Sequence, residues 1–147
     1  MNIDIETADI YFSTRTDGEI WEELTSDEKQ KAITTAYNFV KTLPFIGQKY
    51  EEGQEDIFPR FFAGQKIALP KDVIFGVFEE ALALIKQQKN GIPELPEGIK
   101  SLTLGNSSVT FEGGRTGEFL SKNSLVFLNG WIKKGFDIEQ KKFKEVY

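Results

Sequence analysis

Glu79 and Glu80 stand side by side in the most apolar stretch of the chain, residues 73–85, and a pair of carboxylates is the minimum equipment for general acid–base or metal-assisted hydrolysis. A carboxylate–metal hydrolase, however, needs acids converging from different elements, and the sequence offers acids on single helix faces and in loops. The glycine cluster at 113–117, GGRTG, suggests a phosphate cradle only superficially. It lacks the GxxxxGK[ST] spacing and does not sit between a strand and a helix, so it reads as a linker. Composition removes most of the remaining chemistry. The 147 residues include no cysteine and no histidine, which excludes disulfides, thiolate nucleophiles, imidazole metal sites and Ser-His-Asp machinery. No catalytic residue, metal ligand or cofactor is expected, and the reading is that of a protein that is not an enzyme.

The elements that would position such side chains are mainly helical. Residues 8–15 and 18–24 read as one or two short helical turns carrying Tyr11, Phe12, Ile20, Trp21 and Leu24. Thr25 followed by Glu28 is a capping-box start for a helix running to Leu43, where Pro44 ends it; Ala32, Ile33, Ala36, Tyr37, Phe39 and Val40 recur at helical spacing. Residues 44–69 read as a long loop with an acidic run at 50–56 and apolar anchors at 57–62. Loops of this length are functional or ordered by a partner, which makes Phe58, Pro59, Arg60, Phe61 and Phe62 the candidate subunit interface. A loop pinned to its own core explains the same residues equally well. Pro70 then opens the most regular helix, through Gln88, and Gly76 with the small residues of 81–84 permits another helix to approach closely.

After residue 90 the period changes. Residues 99–111 alternate hydroxyl and apolar side chains about Gly105 and Asn106, the signature of a two-residue hairpin in which Leu102 faces Val109. A two-stranded hairpin is marginal alone, so it is expected to pack on a helix or pair with another chain. A third helix spans residues 121–134, and an extended C-terminal segment follows. That segment mixes Phe136, Ile138, Phe143, Val146 and Tyr147 with Lys141, Lys142 and Lys144. Three of these apolar side chains buried against a partner contribute several kcal/mol, at roughly 1.5–3 kcal/mol each before ordering costs. The expected architecture is one small helical bundle over residues 1–134 with an inserted hairpin, and a docking tail over residues 135–147.

Charge is uneven along this chain of net −5. Residues 1–60 carry 13 acids against 6 bases, and residues 61–147 carry 10 against 12. An acidic first part argues against a free-standing nucleic-acid binder, whose affinity comes largely from neutralising phosphate. The opening residues, MNIDIE, lack the basic and apolar regions of a secretory signal, and no window is apolar enough to span a bilayer.

Several local patterns, in order, then resemble one family. ADIYFSTR at 8–15 followed by Trp21, KQKAITTAYNF at 29–39, QEDIFPR at 54–60, LPKDV at 69–73 with EALAL at 80–84, and the alternating segment from Ile99 to Phe111 are similar to the head-tail connector (adaptor, head-completion) proteins of tailed bacteriophages. That group also carries the label of DnaT-like single-stranded-DNA-binding proteins. The resemblance covers about residues 7–112. It implies a mostly helical subunit with a small hairpin, assembled as a ring of commonly about twelve copies under the portal vertex of a virion, after synthesis in the host cytoplasm. It implies as partners the portal protein, a stopper or tail-completion protein, and double-stranded DNA passing through the lumen. The tail residues Phe136, Ile138, Lys141, Lys142, Phe143, Val146 and Tyr147 would then engage the portal. Carboxylates facing the lumen would repel phosphate and keep the duplex from sticking. The alternative is a single-stranded-DNA-binding replication accessory protein, which would need basic grooves and stacking aromatics.

Overall fold

The computed structural model describes residues 2–89, 120–133, 136–137 and 142–143. Within them the chain is mainly α-helical with a small three-stranded antiparallel sheet. The helices are α1 (Ile5–Phe12), α2 (Gly18–Glu22), α3 (Ser26–Val40), α4 (Lys71–Lys89) and α5 (Lys122–Leu128), the last continuing as a 3-10 turn, Asn129–Trp131. The hairpin expected at 99–111 and the glycine cluster at 113–117 lie outside the described residues.

Three of the helices start where a side chain satisfies otherwise orphaned amides. Asp4 accepts from the Thr7 amide at 2.9 Å to open α1, and Ser121 accepts from the Ser124 amide at 3.1 Å to open α5. The capping box of α3 is complete: Thr25 Oγ1 accepts from the Glu28 amide and Glu28 Oε1 from the Thr25 amide. α3 ends earlier than expected, at Val40. Pro44 disfavours helical backbone at the residue before it, and Thr42 and Leu43 bond back only three residues, to Phe39 and Val40. Leu43 nevertheless stays in the core.

α4 is the axis of the packing. Val73, Ile74, Val77, Phe78, Ala81, Leu82 and Ile85 are all buried, in one core with Ala32, Ile33, Ala36 and Val40 of α3 and with Phe12 and Trp21. Phe12 packs on Trp21 with ring centroids 4.9 Å apart, the aromatic hub joining α1 and α2 to the body. Gly76 does what its size suggested. A Cβ there would lie 2.7 Å from Leu128 Cγ, and Ser124 Oγ donates to the Gly76 carbonyl at 2.8 Å, so α5 seats directly on the α4 backbone. α5 itself is shorter than the 121–134 span expected. Beyond the 3-10 turn the chain straightens to pair Ile132 with Phe45, and the Lys133 amide donates to the Pro44 carbonyl at 2.9 Å.

The loop expected at 44–69 is corrected in part, because it contains the sheet. β1 (Gln48–Lys49), β2 (Arg60–Phe62) and β3 (Gln65–Ile67) form a ribbon in that order, with Gln48 opposite Phe61 and Phe61 opposite Lys66. In the C-terminal segment β4 (Phe136–Asp137) pairs antiparallel with β5 (Lys142–Phe143).

Candidate functional site

The ribbon is built around Arg60. Its Nε donates to the Ile46 carbonyl at 2.7 Å, Nη1 to Ile57 at 3.2 Å, and Nη2 to Phe45 at 3.2 Å and Gly47 at 3.1 Å. One guanidinium thus gathers four backbone carbonyls, and its planar fork suits this task in a way an ammonium does not. Partial burial pushes its pKa down from the ordinary value. Gly47 closes the approach: its φ is +73° and a Cβ would lie 2.4 Å from the Phe61 carbonyl oxygen. The two-residue turn between β2 and β3 places both Ala63 (φ 55°) and Gly64 (φ 80°) in the left-handed region, as tight hairpin turns require.

This construction divides the five candidate interface residues. Phe58 is buried in its own chain, edge-on to Phe45 and to Trp131. Pro59, which follows a cis peptide bond, is half-buried, and Arg60 is committed to carbonyls rather than to an acid. Phe61 and Phe62 each remain 42% exposed. Directly paired residues of neighbouring strands share a face, so Phe61 lies on one face with Gln48 and Lys66. Tyr50, 44% exposed, joins them: its ring centroid lies 6.5 Å from that of Phe61, and Lys66 Nζ sits 4.5 Å from its centre. The outer face of the ribbon is therefore an aromatic patch bearing a lysine. The acidic run beside it, residues 50–56, is exposed except for Gln54, which is partly covered and whose side-chain amide donates to the Asp56 and Pro59 carbonyls.

The adjacent acids of α4 serve different contacts. Both are buried, Glu79 at 4% and Glu80 at 2% exposure, and they turn to different partners. Glu79 accepts from the Tyr11 hydroxyl and from Arg15 Nη1; Arg15 also pairs with Asp17 at 3.2 Å, and Asp17 with Lys86 at 3.0 Å. Desolvation opposes the Arg15 charge, but the carboxylates outweigh it, Glu79 foremost, and the guanidinium pKa is raised. Burial, reinforced by the hydrogen bond to Glu79, raises that of the Tyr11 hydroxyl. Glu80 Oε1 accepts from the Ser121 amide at 2.7 Å, and burial pushes its carboxyl up to about 8. The two carboxyls thus accept hydrogen bonds from separate elements, Glu79 from Tyr11 and Arg15 and Glu80 from Ser121. Among the described residues no three His, Cys, Asp or Glu side chains group as a metal site would require.

The candidate portal-binding residues are only partly placed. Phe136, Lys142 and Phe143 belong to the β4–β5 ladder, with Phe136 opposite Phe143, whereas Ile138, Lys141, Val146 and Tyr147 lie outside the described residues. The ribbon is not legible from local sequence signals. Its one hint is Gly64 between two short runs with apolar ends, without the Asn-Gly or Asp-Gly pair that marks such turns. No protein-family model, curated protein or solved structure matches the chain. Among the described residues no helix is long and apolar enough to cross a membrane.

Proposed function

We propose that this chain is a structural adaptor subunit of a bacteriophage neck, forming a ring that joins the portal to a stopper or tail protein and lines the DNA channel. The observation that carries this reading is the exposed ribbon, which presents aromatic side chains on both of its faces. Tyr50, Phe61 and Phe62 stand exposed on a body whose other aromatic side chains are buried or half-buried where described, and large exposed aromatics are the residues that interfaces bury at their centres. The co-linear sequence patterns across residues 7–112 supply the kind of interface, one between subunits around a portal. The acidic balance of residues 1–60 suits a conduit through which a phosphate polymer slides. The tail from residue 135 onward follows the bond that ties Lys133 to Pro44, and it is the segment assigned to the portal.

The test is co-assembly. Purified full-length chain mixed with portal rings should co-migrate with them, and a chain lacking residues 135–147 should remain folded but fail to do so. Undiminished docking by the truncated chain would remove the tail from the joint. A second reading draws on the same ribbon, because aromatics beside Lys66 also make a stacking platform for single-stranded DNA. Salt-dependent oligonucleotide binding that is lost in Phe61→Ala would favour it over the adaptor.

A further inference from the structure

α3 has surfaces of opposite charge at its two ends. At its N-terminal end Glu19, Glu22, Glu23 and Glu28 are exposed, while the two bases there are already engaged, Lys29 with Asp9 at 2.9 Å and Lys31 with Asp27 at 3.3 Å. At its C-terminal end Lys41, the cap residue, lines a groove of about 220 Å³ with Lys49, Arg60 and Lys133; Glu55 is the one acid among the described lining residues. Arg60 is held by carbonyls, Lys49 Nζ gives a hydrogen bond to the Gln54 carbonyl, and Lys41 lies over the Tyr37 ring at 5.4 Å. Among the described residues none of the three lysines has an ion-pair partner.

Acids at a helix start and bases at its end complement the helix dipole, which accounts for Asp27, Glu28 and Lys41. It does not account for the acids of α2 or for Lys49 and Lys133, which come from other elements. The two ends are separated by 15 residues of helix, roughly 22 Å, beyond the screening length of about 8 Å at physiological salt. They therefore cannot neutralise one another within a chain. Between chains they can.

We propose that copies of this chain associate head to tail, with the acidic face of α2 in one copy seated on the Lys41–Lys49–Lys133 groove of the next. Phe62, 42% exposed and two residues along β2 from Arg60, lies on the Lys49–Arg60 face of the ribbon and supplies the apolar part of the contact. Two different surfaces meeting in this way make a heterologous contact, which closes into a ring or continues as a filament according to its rotation. The inference rests on the ring reading only for that closure.

The experiment uses full-length chain, half of it isotope-labelled, mixed at low salt and treated with a zero-length carbodiimide that joins carboxylates to amines already in contact. Mixed-isotope peptides linking Lys41, Lys49 or Lys133 to Glu19, Glu22 or Glu23 are expected, and they should disappear at about 0.5 M salt. The exposed-residue variant Glu19→Gln/Glu22→Gln/Glu23→Gln, whose amides the carbodiimide cannot activate, is read by sedimentation at low salt, where it should stay monomeric while the unaltered chain associates. The proposal is overturned if no mixed-isotope link forms at low salt, if such links join other surfaces, or if adding a single-stranded oligonucleotide abolishes them, which would make the groove a phosphodiester site. These links together with an open filament in electron micrographs would keep the contact and refute the ring.

Discussion

Arg15 is the residue on which the α1–α4 joint depends. Its guanidinium is the cation beside the buried Glu79 carboxylate, and it also reaches Asp17. Arg15→Ala should therefore cost roughly 3 kcal/mol in denaturant unfolding, because a buried charge left without its partner retains its desolvation penalty. Glu79→Gln with Arg15 intact should cost less. Glu80 has the opposite sign of effect. Its folded pKa, about 8, lies above the ordinary carboxylate value, so the folded state binds more protons across that interval and stability falls as pH rises from about 4.5 to about 8. A tenfold difference in proton affinity between folded and unfolded chain corresponds to about 1.4 kcal/mol, which sets an upper scale for the slope of that limb per pH unit. Glu80→Gln should flatten the limb in unfolding curves taken across this range and stabilise the protein at pH 8. A slope unchanged in the variant would show that Glu80 is not its source. From the sequence these two acids were legible only as an interruption of an apolar run, since their partners Tyr11 and Ser121 lie 68 and 41 residues away.

Periodicity and caps revealed the helices because they are local signals. The stripe from Ala32 to Val40 and the capping box at Thr25 follow from side chains within a few turns of one another, and the small size of Gly76 marked a point of close approach without naming what approaches. Gly76→Ala tests that point directly: its methyl would overlap Leu128, and a cost of about 1–3 kcal/mol in thermal or chemical unfolding is expected. The ribbon was illegible for an equally physical reason. Its strands are two or three residues long, too short for a two-residue period to register, and its turn uses Ala63 where Asn would announce the left-handed backbone. Ala63→Asn should accordingly raise the melting temperature, by relieving on the order of 1 kcal/mol of strain. Arg60, which binds the ribbon to the body through Phe45, Ile46, Gly47 and Ile57, gave no periodic signal at all; its four acceptors are backbone atoms that any sequence would supply.

At the scale of the whole molecule, a helical body carries an exposed aromatic ribbon and charge of opposite sign at the two ends of its third helix. The five candidate interface residues from Phe58 to Phe62 divide there, since the body keeps Phe58 and Arg60 and presents Phe61 and Phe62. If the ribbon is an assembly surface, Phe61→Ser/Phe62→Ser should leave helical content and unfolding midpoint nearly unchanged, since both side chains are 42% exposed, while lowering incorporation into particles. The most direct measurement is an averaged electron-microscopy reconstruction of purified particles at the capsid vertex. The account predicts a ring of about a dozen copies of this helical body below the portal, with the aromatic ribbon buried between neighbours. Particles whose vertex reconstruction contains no such ring would contradict it.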